Sequence, residues 1–350
     1  MRWPWQHSET PAERLAFSLH PDRLHWAVLD LRRNPPGLAR FGVLPLPVGD
    51  ADARSRAVRA LGLPAARAIA VLPLTDYQML QIEAPAVPPE ELKAAARWRI
   101  KDMVNTHVDD VTLDVMHAGS PQDLNHHQLF VVAAGNEAIK ATSLLAQASG
   151  LRLAVIDIVD TAQRNLHTRA AARQDLSDRA TACLMVHGAH GLLTICIADE
   201  LFYSRRLEWD PTLAQVAAQS GEAVATPSAP LEPALAESGL QWAGNALAYE
   251  LGGPQEMADV TPRLVVELQR SFDVWERSWP DQPVAQLLVH TGHGSPAMAS
   301  YLQGLLGLRV QALDLAQALP GAEQGGDWGG EHQACLPLLG ALLRTDTPQR

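Results

Sequence analysis

The sequence predicts an α/β protein with two similar subdomains facing each other across a cleft and a smaller α+β module inserted in the first. Two observations lead there. A strand–turn–strand–turn–strand plan over residues 15–46 returns over residues 182–207, and a duplicated unit in one chain favours paired subdomains. Between the two copies, residues 85–160 carry their own helix, strand, strand, helix and strand. The totals allow this plan. At 350 residues the chain is long enough for two domains and a sizeable core. Its 47% hydrophobic and 19% charged content is that of a globular protein.

The first copy opens with Leu15–Leu19 as a strand, His20-Pro-Asp-Arg23 as a turn and Leu24–Leu29 as the second strand. Phe41–Leu46 is a shorter third strand, and a helix over Ala51–Leu61 leads to a buried strand at Ala68–Leu74. Tyr77–Glu83 alternates like a strand and runs into the module. There, Pro88 and Pro89 suit a first helical turn, and Glu90 and Glu91 suit the positive end of a helix dipole. Leu92, Ala95, Ala96, Ile100 and Met103 share one face at helical spacing. Trp98 lies off that face among Arg97, Arg99 and Lys101. It reads either as a ring lying along the surface or as an anchor for a partner chain. Val108–Val115 alternates as a strand; Leu129–Ala134, Asn136–Ser149 and Leu151–Val159 follow as strand, helix and strand.

Asp160–Arg173 reads as a helix and Gln174–Arg179 as a polar hinge. The second copy is then Ala182–Val186, the turn His187-Gly-Ala-His-Gly191, Leu192–Ala198 and Leu201–Leu207. Residues 211–260, rich in Ala, Pro, Ser and Gly, are expected to form a small helical lobe and connection. From Pro262 a helix aligns Leu264, Leu268, Phe272, Trp275 and Trp279, and Pro280 stops it. Gln286–His290 is a strand, Thr291-Gly-His-Gly-Ser-Pro296 a glycine loop, Met298–Leu306 a helix and Leu308–Leu313 a last strand. A glycine-rich loop over Gly321–Glu331 and an apolar helix over Cys335–Leu343 complete the chain.

Several functions are disfavoured at once. A formal charge of −11 argues against general nucleic-acid binding. Cys183, Cys196 and Cys335 make no disulfide framework and suit a reducing compartment. The opening Met1-Arg-Trp-Pro-Trp-Gln-His has no apolar run, and Trp3 and Trp5 read as part of a frayed tail. No segment reaches the roughly 18 to 20 apolar residues of a membrane helix, so a cytoplasmic protein is expected, reaching a membrane through a partner. His187 and His190 with Cys183 and Cys196 match no zinc-ligand spacing; loop histidines and core cysteines are the plainer reading. His126-His127 reads as a solvated pair, and Gly292-His-Gly-Ser-Pro is not the serine-nucleophile turn. Asp157 and Asp160, at a strand end, read as caps for the next helix or as ligand contacts.

Glu91, Leu92, Ala95 and Trp98, then Val108-Asp-Asp-Val-Thr-Leu-Asp114, form an ordered series of short motifs with Val132-Ala-Ala, Ser149-Gly-Leu and Val155-Ile-Asp. This series resembles the PilM family of pilus-assembly proteins and its MSHA branch, over roughly residues 14–344. The resemblance implies an actin-like (ASKHA) fold of the FtsA/PilM type, whose halves each begin with three strands, a helix and a strand. The expected domains are a tail at 1–13, a first subdomain at 14–84 plus 155–175 and the inserted module at 85–154. The second subdomain is expected at 180–210 plus 261–345, with the lobe at 211–260. It also implies a scaffold role in a type IV pilus machine, peripheral at the inner membrane, with ATP as the candidate cofactor. The partner it implies is the cytoplasmic N-terminal tail of a PilN-like protein, held between the first subdomain and the module. Trp98, Arg99, Asp102 and Val108 are the candidate partner-binding residues, although Asn105-Thr-His stands where the family has another stretch.

In that fold two glycine turns, each with an acidic residue, hold the phosphates and magnesium of a nucleotide. The first turn here has no glycine, Pro21 removes one N–H donor, and Asp22 stands at the glycine position. The second keeps Gly188 and Gly191, with Thr194 at a polar position, but Val186 replaces the carboxylate. Gly292 and Gly294 answer the adenosine-side loop, with His293 in place of a glycine. Without both acids, hydrolysis lacks its metal geometry, so no catalytic residue is assigned. The alternatives are a true ATPase of the same fold and a filament-forming homologue.

Overall fold

The computed structural model describes residues 12–64, 66–119, 128–224, 262–323 and 326–345. The tail at 1–11, His126-His127 and the segment 225–261 lie outside the described residues.

The first sheet is built by β1 (Glu13–Leu19), β2 (Arg23–Asp30) and β3 (Gly37–Pro45), an antiparallel meander. Helix α1 (Ala51–Ala60) follows, started by Asp50, whose carboxylate accepts the Ala53 N–H at 2.8 Å. It returns the chain to β4 (Arg67–Leu72), parallel to β1. The chain then leaves this sheet. It forms β5 (Tyr77–Glu83), α2 (Leu92–Ile100), β6 (Val111–His117), β7 (Gln128–Gly135) and α3 (Asn136–Ser149). Gly150 ends α3 in the left-handed conformation that suits glycine, φ 77°. β8 (Arg152–Ile158) rejoins the first sheet parallel to β4, and α4 (Val159–Ala172) follows it.

The second sheet repeats the plan with β9 (Thr181–His187), β10 (His190–Ile197) and β11 (Glu200–Glu208). Helices α5 (Thr212–Val224) and α6 (Arg263–Ser278) precede β12 (Gln286–His290), α7 (Ser295–Leu306) and β13 (Val310–Ala312). The short α8 (Leu315–Ala318) and the final α9 (Leu336–Leu342) complete the chain. The two sheets have the orders β3-β2-β1-β4-β8 and β11-β10-β9-β12-β13, the same topology twice. The expected duplication is therefore present strand for strand.

Three details differ from the expectation. Val108–Asp110 is a 3-10 turn and the strand begins at Val111, because the side chains of Asp109 and Asp110 point to solvent and only from Val111 does alternate burial begin. Helix α2 ends at Ile100, so Met103, expected on its buried face, is 48% exposed. β5 pairs with β7 in a separate sheet of order β5-β7-β6, so this sheet takes in Tyr77–Glu83, ahead of the expected boundary at Pro85.

The halves meet through crossed helices. α9, from the end of the chain, packs on β1, β2 and β4 of the first sheet, while α4 packs on β9 and β10 of the second and against α9. α4 is buried on nearly every side because it lies between the two sheets. The crossing is close: a Cβ at Gly340 would stand 1.8 Å from the Ala162 carbonyl oxygen. Arg14 closes the end of α9, donating from Nη1 to the carbonyls of Leu342 at 2.8 Å and Arg344 at 2.6 Å. Arg344 pairs with buried Asp157 at 2.9 Å. The module has its own core of Ile82, Ala96, Ile100, Val111, Leu113, Leu129, Val131 and Ala133 between α2 and the small sheet.

Candidate functional site

The repeated hairpins place their first turns face to face. The turn between β1 and β2 brings His20, Pro21, Asp22 and Arg23 to one wall of a cleft of about 920 Å³. The turn between β9 and β10 brings His187, Gly188, Ala189 and His190 to the other. Val43, Val71, Pro73, Leu74 and Val159 add apolar surface, and Gly330, Glu331, Gln333 and Pro337 close one side. The volume is that of a small-molecule pocket.

Its polar groups are largely engaged with one another. Asp22 is bound to its own neighbour: Arg23 donates from Nη2 to Oδ2 at 2.7 Å and from Nε to Oδ1 at 3.0 Å. Those hydrogen bonds hold the Asp22 carboxyl below the usual carboxylate range. His25 and His187 are held neutral at pH 7. Burial pushes His25 down to about 4 and His187 down to about 3, and lowers His20 as well. His20 and His25 meet edge to face at 4.5 Å, and His25 Nδ1 is buried without a hydrogen-bond partner. His187 Nε2 meets Gln163 Oε1 at 3.2 Å, while Gln163 Nε2 donates to the carbonyls of Cys183 and Leu192 and to Thr194 Oγ1, at 2.9–3.1 Å. One buried amide from α4 thus holds the base of the β9–β10 turn. Gln333 Nε2 reaches Val186 O at 3.2 Å from the other side.

The predicted cofactor-side residues do not all come together here. Gly188 lines the cleft with φ 63°, in the left-handed region. Gly191 is a buried β10 residue opposite Val186, and Leu184 stands 3.2 Å from where its Cβ would be. Thr194 is 0% exposed and turned to α4, bonded to Gln163 and 3.4 Å from His167 Nδ1; it is a core hydroxyl, not a ligand contact. Its strand position puts it on the face that α4 covers. Gly292 and Gly294 form the β12–α7 turn, and the segment around Gly329 packs against it at Gly292. A Cβ at Gly292 would lie 3.1 Å from Gly329 Cα, and His293 pairs with Asp327 at 2.7 Å. Trp328 of that segment reaches the first half, its ring tilted against Phe41 with centroids 4.6 Å apart. Asp157 accepts the Ile158 N–H at 2.9 Å and the Thr161 hydroxyl but caps no α4 backbone N–H, the N-cap being Ile158, and Asp160 is bound by Tyr77 and Ser204. Among the described residues no three His, Cys, Asp or Glu side chains are placed to hold a metal; Cys183 and Cys196 are core residues.

The partner-side residues lie together on the module. Trp98 is 74% exposed, with Lys101 Nζ 5.6 Å from its ring centroid. Arg99 donates to the Glu83 carbonyl at 2.9 Å, Asp102 is exposed, and Val108 packs against the module core. The Val108 carbonyl accepts from Arg97 at 2.5 Å. Lys93, Arg97 and Arg99 each have an acid of the module, Asp114, Asp109 and Glu83, so the helix presents an indole more than a positive field.

Sequence reasoning missed Gln163 and Arg206, which organise this region. The signal for Arg206 was there: Arg205-Arg206 interrupts an apolar strand, so one guanidinium must point to each face. Arg205 turns to Glu267 and Ser271 of α6, and Arg206 turns to the loop before β5.

No protein-family model matches the chain, and no curated protein matches it in sequence. Solved structures do. A PilM-PilN type IV pilus biogenesis complex aligns with TM-score 0.62 at 20% identity, over 95% of this chain and 99% of that chain. The cytoplasmic domain of EpsL, an inner-membrane component of the type II secretion system of Vibrio cholerae, aligns with TM-score 0.40 at 15% identity. It covers 59% of this chain and 75% of that one. A Bacteroides thetaiotaomicron protein with an actin-like ATPase fold and unknown function aligns with TM-score 0.46 at 8% identity, over 88% and 93%. The chain has an actin-like α/β fold with duplicated mixed sheets.

Proposed function

We propose that this protein is an actin-like scaffold of a type IV pilus biogenesis machine of the MSHA kind, an MshI-like member of the PilM group. It works in the cytoplasm, at the inner membrane, by holding the N-terminal tail of a PilN-like partner. The observation that carries this reading is the near end-to-end likeness to a PilM-PilN complex, inserted module included. Among the described residues no helix is long and apolar enough to cross a membrane, which fits attachment through a partner. An extended peptide captured by apolar pockets and a few backbone hydrogen bonds needs no catalytic centre. On the module, Trp98 supplies a large exposed anchor on α2, with Arg99 next to it and Asp102 and Val108 on the α2–β6 connection.

The cleft supports a scaffold rather than an ATPase. Its single aspartate in the first turn is engaged by Arg23, the second turn has Val186 at the acidic position, and Gly292 is packed against Gly329. Hydrolysis of a triphosphate needs a metal held in place and charge stabilisation at the γ-phosphate. Isothermal titration of the purified chain with a synthetic peptide of the partner's cytoplasmic tail tests the proposal. Saturable one-to-one binding, weakened by Trp98→Ala, is expected. No heat of binding with the peptide, from a chain shown to be folded, refutes the partner assignment.

A further inference from the structure

The inserted module is held to the first half by connectivity and by α3, which packs on α1 and β8 and whose Ala148 carbonyl accepts from Arg59; β11 ties it to the second half as well. β11 does so along its length. At its start, the Gly119 N–H donates to the Leu201 carbonyl at 2.8 Å. Phe202 stands where a Gly119 side chain would be, 2.5 Å from the ideal Cβ position. Ala118 and Phe130 of the module share an apolar cluster with Cys196 and Leu201. In its middle, Ser204 donates to Asp160 Oδ1 at 2.6 Å, and Tyr77 OH donates to Oδ2 of the same carboxylate at 2.5 Å. Arg206 then grips the loop through which the chain enters the module. Nη1 donates to Leu74 O at 2.6 Å, Nη2 to Tyr77 O at 3.1 Å, and the guanidinium lies 4.6 Å from the Tyr77 ring centroid. At its end, β11 pairs Glu208 with His190, and the Trp209 N–H donates to Ala189 O at 3.1 Å. His190 and Ala189 form the cleft turn.

We infer that β11 is a coupling strand: it ties the inserted module to the second half and carries displacement of the module to the β9–β10 turn of the cleft. The geometry favours this over a module riding on the first half alone. Asp160 is 2% exposed and Tyr77 is 3% exposed, so their contacts have no water to substitute for them. The Arg206 bonds are charge-assisted and go to two carbonyls on the entry loop, the place where a hinge would have to bend. A strand of nine residues is stiff along its axis and is held by β10 over its length. The inference is independent of which partner the module binds.

Hydrogen exchange by mass spectrometry on the full chain tests it, comparing wild type with Arg206→Ala and Arg205→Ala. The two arginines are neighbours on one strand, and Arg205 faces α6 instead of the module. Losing the Arg206 bonds is expected to speed exchange about tenfold or more in residues 73–83, in 111–119 and in the 187–191 turn together. Arg206→Lys, which keeps one donor and the charge, is expected to fall between. Arg205→Ala is expected to speed exchange in α6 and to leave the module at its wild-type rate. The inference is overturned if Arg206→Ala changes only its immediate neighbours, or if Arg205→Ala loosens the module as much. A general loss of protection in Arg206→Ala is resolved by Ser204→Ala, which removes one hydrogen bond. That milder variant must show the same linked pattern at smaller size, and an unlinked pattern counts against the coupling.

Discussion

Gly340→Ala adds one methyl group where the two halves cross. The new Cβ would stand 1.8 Å from the Ala162 carbonyl oxygen and 2.6 Å from its carbonyl carbon. A carbon and a carbonyl oxygen rest at roughly 3.2 Å, so α9 and α4 must part by about 1.4 Å. Neither helix can yield freely. α9 is buried along its whole length and α4 along most of its own, and both sheets close on the pair. Overpacking a well-filled core costs about 1–3 kcal/mol, and backbone against backbone belongs at the upper end. About 3 kcal/mol corresponds to a fall in Tm of roughly 4 °C for a chain of 350 residues. Gly304→Ala is the matched control. It lies in α7 with nothing within 4 Å of its Cβ position, and alanine there should stabilise by about 0.5–1 kcal/mol. Thermal unfolding of both variants decides the matter. If Gly340→Ala melts at or above the wild type, the crossed-helix account of how the halves are joined is wrong.

Other consequences follow from the same contacts. Trp98→Ala should leave Tm within about 1 °C, since the indole is 74% exposed, and weaken tail-peptide affinity by roughly 30-fold in titration, the size expected of an interface anchor. Arg344→Ala leaves the buried Asp157 carboxylate without its cation. It keeps the Ile158 and Thr161 donors, so a loss of about 2 kcal/mol is expected in denaturant unfolding. Stability should fall in acid. His167 and His187 are pushed by burial to about 3, His25 and His290 to about 4, against 6.5 in the unfolded chain. Between those values the unfolded state binds more protons than the folded one, so stability declines as pH drops from about 6.5 towards 4 and below. Thermal scans from pH 7.5 to 4.5 should show that decline, and His187→Gln should flatten part of it.

Much of the fold was legible because its signals are local. The repeated hairpins, the helix face of Leu264, Leu268 and Trp275, and the strand at Leu287–Val289 each follow from periodicity, and all are buried as expected. The strand order was reachable only through the resemblance, since parallel pairing of β4 with β8 spans an insertion of some eighty residues. The site was less legible for a physical reason. Glycines and a threonine near a turn look alike in sequence whether they face a cleft or a helix. Thr194 faces α4 because two residues along a strand restore the same side, and Gln163 of α4 waits there. The cover on Gly292 came from Gly329, 37 positions away in a stretch with no periodicity, where nothing local could signal it. Trp98, by contrast, was placed by helical phase alone, and its exposure followed.

The central claim is a scaffold that has kept an actin-like frame and lost the nucleotide chemistry of its cleft. Isothermal titration of the purified chain with ATP, with and without magnesium, and again after saturation with the partner-tail peptide, tests it most directly. The account predicts heat from the peptide and none that depends on magnesium and ATP. Tight magnesium-dependent ATP binding, or steady release of phosphate in the same cell, would contradict it.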